Sequence, residues 1–266
     1  MYNDNIKCGL TEKINGVYED THNVQAYVWY EDNFLHDEYP HAHQRYQLTY
    51  VEQGYQYLHI DDRIYLIPQH HVVWIPSGQR HATTSTATDI NLKVLLYKDV
   101  PKETFYAQVH VFPAPTVLRE MLHYASKWNR SVALDIEKEQ FLQAILVSLK
   151  YFCEENESLQ IPVPSDHRLK PVCVHINKQY EMGLDLEELA MLSTMSVRNL
   201  QRLFKQETGL TLQKYLQLIR ILKSIELLDT KAFTLSEIAF KIGYKSLTAF
   251  RSSYLEIMKA YPKVKK

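Results

Sequence analysis

The fold of the carboxy-terminal third is decided by residues 184–209, which read LDLEELAMLSTMSVRNLQRLFKQETG. Asp185 can accept backbone hydrogen bonds at the start of one helix, and Ser196 can do the same for the next helix. Between these caps, Ala190 is small enough to let two helices cross closely, and the residues after it interrupt the helical pattern. The stretch therefore predicts two short helices joined by a tight turn, which is a helix-turn-helix unit.

The same pattern returns 49 residues later, in residues 233–252, which read FTLSEIAFKIGYKSLTAFRS. Thr234 takes the place of Asp185, and Glu237 follows three residues later, as a capping box requires. Gly243 permits the positive φ of a tight turn. One such unit is a weak signal, because any helical bundle contains similar turns, whereas two in tandem predict a DNA-binding domain.

The charge of the chain is unevenly distributed. The formal net charge is -1 over 266 residues, but the segment from Asp166 to Lys266 holds 17 Lys and Arg against 10 Asp and Glu. This segment therefore carries a net charge of +7, which leaves -8 for the first 165 residues. A basic region suits a polyanion, and together with the tandem repeat it points to double-stranded DNA as the partner.

The second helix of the first unit carries the residues expected to contact DNA. Its apolar residues recur at helical spacing and face inward, which leaves a polar face outward. Polar and cationic side chains on such a face can bond base edges and phosphates in the major groove. A long helix predicted over Tyr215 to Leu228 can hold the two recognition helices one DNA turn apart, about 34 Å. The residues predicted to bind DNA here are Ser196, Arg198, Gln201, Arg202 and Lys205.

These motifs resemble, in order and spacing, the AraC/XylS family of transcription regulators over about the last 95 residues. The resemblance implies two helix-turn-helix units joined by a linker helix, binding to promoter DNA, and RNA polymerase as a partner. It also implies that the second recognition helix presents Leu247, Thr248, Arg251 and Ser252 to DNA. The residues that carry the resemblance are Leu189-Ala190, Ser196-Val197-Arg198, Leu200 to Lys205, Thr208-Gly209, Tyr215-Leu216, Arg220, Leu227-Leu228, Ile238-Ala239 and Gly243-Tyr244.

The second unit departs from the family pattern. The family usually has Arg where this chain has Ser252 and Gly where it has Lys259, although Pro262 is in place. Arg251 stands next to the altered position, but one residue turns a helix by about 100° and aims the side chain elsewhere. We therefore predict that the second helix reads DNA less than the first. An antagonist with impaired DNA binding is an alternative function.

Between Gln25 and Tyr97 the sequence runs in short aromatic and β-branched segments separated by turn signals, which is typical of an antiparallel sandwich or barrel. After Pro113 and Pro115 apolar residues recur at helical spacing and predict two amphipathic helices. An apolar stripe on such helices is a common dimer surface, so we expect a homodimer. The predicted strands are Gln25 to Tyr30, Tyr46 to Val51, Tyr55 to Ile60, Ile64 to Ile67, Val72 to Ile75 and Leu92 to Tyr97.

Eight of the twelve histidines precede residue 82, and His41, His43, Gln47 and His81 together resemble the two cupin motifs. Residues two apart on a strand face the same side, and a hairpin-linked strand can add a third imidazole. Gln47 stands where a carboxylate ligand is usual, so we predict no metal cofactor. The alternative is a metal-dependent cupin enzyme that uses His41, His43 and His81. A candidate ligand pocket comprises these four residues with Tyr27 and Trp29, although aromatic residues at this spacing commonly form core.

The sequence predicts an α+β fold with two domains. Residues 1–112 form a cupin-like β-barrel, residues 113–155 a helical segment suited to dimerisation, residues 156–168 a linker, and residues 169–266 an all-α double helix-turn-helix domain. Cys8, Cys153 and Cys173 suggest neither a disulfide framework nor a thiolate metal site. With no signal peptide and no apolar run of about 20 residues, we expect the chain in the cytoplasm and not in a membrane.

The predicted function is that of a sequence-specific DNA-binding transcription regulator, with activation as the expected sign. The cupin-like domain is expected to sense a small molecule or to mediate dimerisation, and no enzymatic activity is expected.

Overall fold

In the computed structural model of the chain, two compact units are present. One comprises residues 1–61 and 67–158, and the other comprises residues 62–66 and 159–266. The residues that the structure describes are 6–7, 11–14, 17–20, 23–32, 34, 40–61, 63–85, 87, 89–153, 160–258 and 260–263.

The first unit is rich in antiparallel strands. A three-stranded sheet has the order β1-β2-β3, a five-stranded sheet has the order β11-β8-β5-β10-β4, and β6 pairs with β9. The six segments predicted from the sequence are strands of the structure, and short strands that the sequence did not reveal join them. The strands of this unit are β1 (Ile6–Lys7), β2 (Thr11–Ile14), β3 (Val17–Asp20), β4 (Ala26–Glu31), β5 (Tyr46–Gln53), β6 (Gln56–Ile60), β8 (His71–Ile75), β9 (Ala82–Thr84), β10 (Asn91–Tyr97) and β11 (His110–Pro113). The strand β7 (Arg63–Ile67) belongs, except for its last residue, to the second unit.

Both predicted amphipathic helices of the first unit are present, as α1 (Thr116–Ala125) and α2 (Ile136–Phe152). Asp135 caps α2 by accepting hydrogen bonds from the backbone N–H groups of Glu137 and Lys138. Buried leucines of both helices pack against one face of the five-stranded sheet, and each such side chain contributes about 1.5–3 kcal/mol when fully buried.

Residue alternation assigns the aromatic residues of the five-stranded sheet to two faces. Trp74 and Tyr50 belong to the core shared with α1 and α2, and Tyr46 packs against that core and stacks on Trp74 at 5.8 Å. These three residues therefore face the helices, as core, and do not line the opposite face. That opposite face carries Tyr27 and Gln47, because both are in register with Leu96 of β10, the strand between β5 and β4.

The second unit is helical, with the short strand β12 (Gln160–Pro162) paired to β7 at its start. The α+β prediction of a β-rich domain followed by a helical domain is confirmed. The segment predicted as a linker, residues 156–168, includes β12, and its first four residues lie outside the described residues. The helices are α3 (Lys170–Lys178), α4 (Leu186–Leu192), α5 (Val197–Thr208), α6 (Leu212–Asp229), α7 (Leu235–Lys241) and α8 (Leu247–Met258).

The sequence repeat is also a repeat of turn geometry. Thr194 and Gly243 both have positive φ, 55° and 86°, in the turns after α4 and α7. The residue after each donates its backbone N–H to the carbonyl of Ala190 or Ala239, at 3.0 and 2.9 Å. The capping box of the second unit is complete, with Glu237 bonded back to the backbone of Thr234. Glu188 holds the corresponding position in the first unit, but its carboxylate lies 3.7 Å from Nδ1 of His175. The two units thus share their turn but differ in one cap.

Arg220 on α6 joins the two helix-turn-helix units. Its Nε donates to the carbonyl of Tyr180 at 2.7 Å, one terminal nitrogen donates to the carbonyl of Met182 at 2.8 Å, and the guanidinium lies 5.6 Å from the Tyr244 ring. Gly243 lies beside it, and a Cβ atom there would stand 2.3 Å from the backbone oxygen of Glu181. The turn before α4, the helix α6 and the turn before α8 therefore meet at one point.

Among the helices that the structure describes, none has both the length and the hydrophobicity required to cross a bilayer.

Candidate nucleic-acid interface and histidine cluster

The first recognition helix, α5, has one buried and one exposed face. Leu200 and Phe204 are fully buried, and Ser196 caps the helix by accepting a hydrogen bond from the backbone N–H of Asn199. Four of the residues predicted to bind DNA lie exposed on the other side of this helix. They are Arg198, Gln201, Arg202 and Lys205.

The Arg202 guanidinium lies along the surface of α5. It donates to Oδ1 of Asn199 at 3.0 Å and to Oε1 of Gln206 at 3.2 Å. Sequence reasoning missed these two partners, although their positions three before and four after Arg202 are the spacing at which helical side chains meet. Exposed hydrogen bonds of this kind are readily exchanged for others, so Arg202 can leave them for an acceptor on DNA.

The second recognition helix, α8, presents a less basic face. Thr248, Arg251 and Ser252 are exposed and Leu247 is half-buried, while Phe250 is fully buried. Because α8 begins 50 residues after α5, the turn of the second unit is one residue longer than the sequence repeat of 49 implies.

The register of 50 residues decides which side chains correspond. Arg251 takes the position of Gln201, and Ser252 takes that of Arg202. Arg251 therefore does not occupy the place of the Arg that the family usually carries. The other position that departs from the family, Lys259, lies outside the described residues.

The predicted histidines come together in the first unit. His41 and His81 exchange two backbone hydrogen bonds of 2.8 Å, and the carbonyl of His43 accepts one from Gly78 at 2.8 Å. These bonds join two segments about 40 residues apart in sequence, so the rings lie close. Ring centroids are 4.5 Å apart for His41 and His81, 5.3 Å for His43 and His81, and 6.0 Å for His41 and His43.

Burial controls the protonation of this cluster. Burial, reinforced by the neighbouring His41 and His43, lowers the pKa of His81 to about 3. Burial also lowers the pKa of His43, against the opposing effect of its hydrogen bonds to Gln47 and to the Arg45 carbonyl. Both imidazoles are therefore neutral at pH 7.

Tyr27 and Trp29, predicted to line the same pocket, belong to a separate apolar cluster. Tyr27 is buried with Val94 and Leu96, and Trp29 packs against this group and meets the Phe34 ring edge-on at 5.5 Å. The predicted pocket thus divides into a histidine cluster with Gln47 and an aromatic cluster.

Comparisons with known proteins agree with both halves of the chain. A helix-turn-helix domain model matches residues 189–264, and an AraC-like ligand-binding domain model matches residues 24–97. Together these matches cover more than half of the chain.

Two curated relatives are transcription regulators. The HTH-type transcriptional regulator NimR of Escherichia coli is 25% identical over 212 residues, which cover 79% of this chain and 75% of NimR. The HTH-type transcriptional activator RhaS of Escherichia fergusonii is 25% identical over 232 residues, covering 80% and 82%. A crystal structure of apo ToxT from Vibrio cholerae aligns with 91% of this chain and 96% of its own, at 18% identity and a TM-score of 0.37.

The tandem helix-turn-helix units, the β-rich domain before them and the matches to both domain models lead to one conclusion. The chain belongs to the AraC family of transcription regulators, with an AraC-like ligand-binding domain followed by a DNA-binding helix-turn-helix domain.

Proposed function

We propose that this regulator binds promoter DNA mainly through α5 and activates transcription by RNA polymerase. The exposed polar face of α5, opposite the buried Leu200 and Phe204, is the observation that carries the proposal. Arg198, Gln201 and Arg202 can reach base edges, and Lys205 suits a phosphate. The second helix contributes Leu247, Thr248, Arg251 and Ser252. Activation is favoured because the relative RhaS is named an activator.

The proposed effector is a small molecule bound by the first unit, on the sheet face that carries Tyr27 and Gln47. The AraC-like ligand-binding domain model spans this region, and the histidine cluster and the aromatic cluster supply polar and apolar contacts respectively. In this proposal the chain regulates transcription in the cytoplasm and has no enzymatic activity, as its relatives are regulators.

The proposed homodimer forms through the exposed face of α2. Ile136, Gln140, Ala144, Val147 and Tyr151 follow one another at helical spacing along this face, all exposed and none charged. Ile136 and Tyr151 are 75% and 76% exposed, unusually high for large apolar side chains. A second copy related by a twofold axis would cover the same stripe on both chains.

We expect the DNA affinity of the full chain to fall steeply with salt. If Lys205 and Arg251 each neutralise one phosphate, log K should fall against log salt with a slope of about -1.8, since each contact contributes roughly -0.9. Fluorescence anisotropy on a DNA fragment selected by the protein from a random library measures this slope. The Lys178→Ala variant, which alters an exposed lysine of α3, is the control and should keep it. A slope near zero would contradict the proposed interface.

We expect Val147→Glu with Tyr151→Glu to convert the dimer to monomer, because burying two carboxylates in a dimer seam is costly. Analytical ultracentrifugation of the full chain measures the dissociation constant. Glu120→Lys, on the exposed surface of α1, serves as the charge-altering control and should leave the dimer intact. A wild-type chain that is monomeric at micromolar concentration, or a double variant that still dimerises, would rule out this interface.

A further inference from the structure

A cavity of about 490 Å³ opens in the helical unit, between the exposed face of α5 and the first residues of α4 and α6. Its volume lies within the range of roughly 300–1,000 Å³ that is usual for small-molecule sites. Three residues of α5 that line the cavity are proposed DNA contacts, but the proposed function gives the cavity itself no role.

The apolar part of the cavity consists of three leucines. Leu212, the first residue of α6, is buried, while Leu184 precedes α4, Leu186 begins it, and both are half-buried. Half-buried leucines keep part of their apolar surface in water, and a ligand that covers this surface is favoured by the hydrophobic effect. The cavity therefore suits a ligand with a compact apolar body.

The polar part of the cavity is basic. Arg202 and Lys205 of α5 are exposed and both line it. Among the described residues that line the cavity, none is acidic, and the remaining polar ones are Gln201, Thr211 and Gln213. Two cations beside an apolar surface concentrate positive potential there. The ligand that fits this lining is therefore an anion.

The acidic residue between the two leucines of α4 is already engaged. Asp185 accepts hydrogen bonds from the backbone N–H groups of Glu187 and Glu188 at 3.0 and 3.1 Å, so its carboxylate caps α4. The first turn of α6, which carries Leu212 and Gln213, adds the positive end of an 18-residue helix. Both features leave the potential of the cavity to the two cations of α5.

The Arg202 guanidinium can take up an anion at this position. Its two printed bonds go to the neutral side chains of Asn199 and Gln206, and a guanidinium carries five N–H donors in all. An anionic oxygen is a stronger acceptor than a neutral amide oxygen. A phosphomonoester carries a charge of about -1.5 to -2 at pH 7, which matches two cations better than the single charge of a carboxylate.

We propose that this cavity binds a small phosphomonoester with a compact apolar body, and that the bound anion competes with DNA. The apolar body contacts Leu184, Leu186 and Leu212, and the phosphate bonds Arg202 and Lys205. Competition follows because both cations are also proposed DNA contacts, so this second part rests on the proposed function. The ligand then lowers the fraction of regulator bound to its promoter.

Calorimetric titration of the full chain with 2-naphthyl phosphate, without DNA, tests the site. We expect saturable binding of one equivalent per chain. 2-Naphthol lacks the charge and inorganic phosphate lacks the apolar body, so each should bind at least about tenfold more weakly. A wild-type chain without saturable binding, or one that binds either control as tightly as the ester, would overturn the proposal. Tighter binding of 2-naphthoate would contradict the assignment of a phosphate.

Gln213→Glu places a carboxylate in the lining of the cavity. It should weaken binding of the ester by about fivefold or more, the effect of two like charges about 4 Å apart in water. Gln213 is exposed in the first turn of α6, where a carboxylate is favourable, so the variant should fold, as circular dichroism would establish. Lys178→Ala lowers the net charge equally on the exposed surface of α3 and should bind the ester as the wild type does. Equal affinities in the two variants would place the ester elsewhere and overturn the proposal.

Anisotropy of the selected DNA fragment tests the competition. Saturating 2-naphthyl phosphate should release the DNA, whereas inorganic phosphate at the same ionic strength should release much less. An ester that binds but leaves the DNA bound would refute competition at Arg202 and Lys205. A chain that binds the ester and selects no DNA would refute the proposed function and leave the cavity site standing, because the titration without DNA is independent of it.

Discussion

Gly243→Ala should destabilise the helical unit by about 3 kcal/mol or more, which is a large part of the stability of a domain of this size. Two effects add. Gly243 has φ of 86°, which a side chain disfavours by about 1 to 2 kcal/mol. The new Cβ would also stand 2.3 Å from the backbone oxygen of Glu181, so the turn before α4 must move and its bonds to Arg220 must distort.

The two units can be followed separately in one denaturation experiment. Trp29, Trp74 and Trp128 all lie in the first unit, so tryptophan fluorescence reports that unit, while the far-ultraviolet helical signal comes mostly from the second. Gly243→Ala should lower the urea midpoint of the helical signal and leave the fluorescence midpoint unchanged.

Gly209→Ala is the matched control for this variant. Gly209 has φ of 73° in the same unit, but a Cβ atom there meets nothing within 4 Å. The expected loss of stability in Gly209→Ala is therefore only the cost of placing a side chain at positive φ, about 1 to 2 kcal/mol. Equal losses in both variants would show that the contact with Glu181 costs nothing, and the described packing at Gly243 would be wrong.

Arg202→Ala should lower the affinity for the selected DNA fragment by about 5 to 150-fold, corresponding to 1 to 3 kcal/mol for a bidentate contact. The reason is positional, because Arg202 projects from the exposed face of α5 and can exchange its bonds to Asn199 and Gln206 for acceptors on DNA. Anisotropy titration at one fixed salt concentration measures the loss.

Ser252→Ala is the comparison, since Ser252 occupies the corresponding position of α8 and offers a single hydroxyl. We expect it to lower affinity less than about threefold, because one exposed hydrogen bond contributes about 0.5 kcal/mol or little more. Base substitutions should accordingly be tolerated better in the half of the site that faces α8. An effect of Ser252→Ala as large as that of Arg202→Ala would show that both helices read sequence equally.

The helical unit could be predicted in detail because its signals are local. Caps, small crossing residues and apolar spacing lie within a few residues of the atoms they govern, so the caps at Asp185, Ser196 and Thr234 and the positive φ at Gly243 are confirmed. The one-residue difference between the two turns was not predictable, because the repeat was aligned on the first helix of each unit and the longer turn follows it.

The first unit was harder to predict because its contacts are distant in sequence. The spacing of His41 and His43 suggested a shared face, but the pairing of His41 with His81 depends on backbone bonds across about 40 residues. Tyr46, Tyr50 and Trp74 likewise belong to a core that they share with helices more than 40 residues away in sequence. The alternation of side chains along a strand indicates that the sheet has two faces. Which of the two faces is covered by α1 and α2 depends on where the helices pack, and the strand pattern does not specify that.

The contacts of Arg220 fix the spacing of the two recognition helices in the helical unit. Because one guanidinium bonds the turn before α4 and lies against the turn before α8, α5 and α8 are held at one distance and one rotation. In DNA, each added base pair turns the next contact by about 34° and shifts it by about 3.4 Å. If both helices contact DNA as proposed, we expect one extra base pair between the two halves of the site to weaken binding, even when every contacted base is unchanged. The length of the spacer would then contribute to specificity although no side chain contacts it.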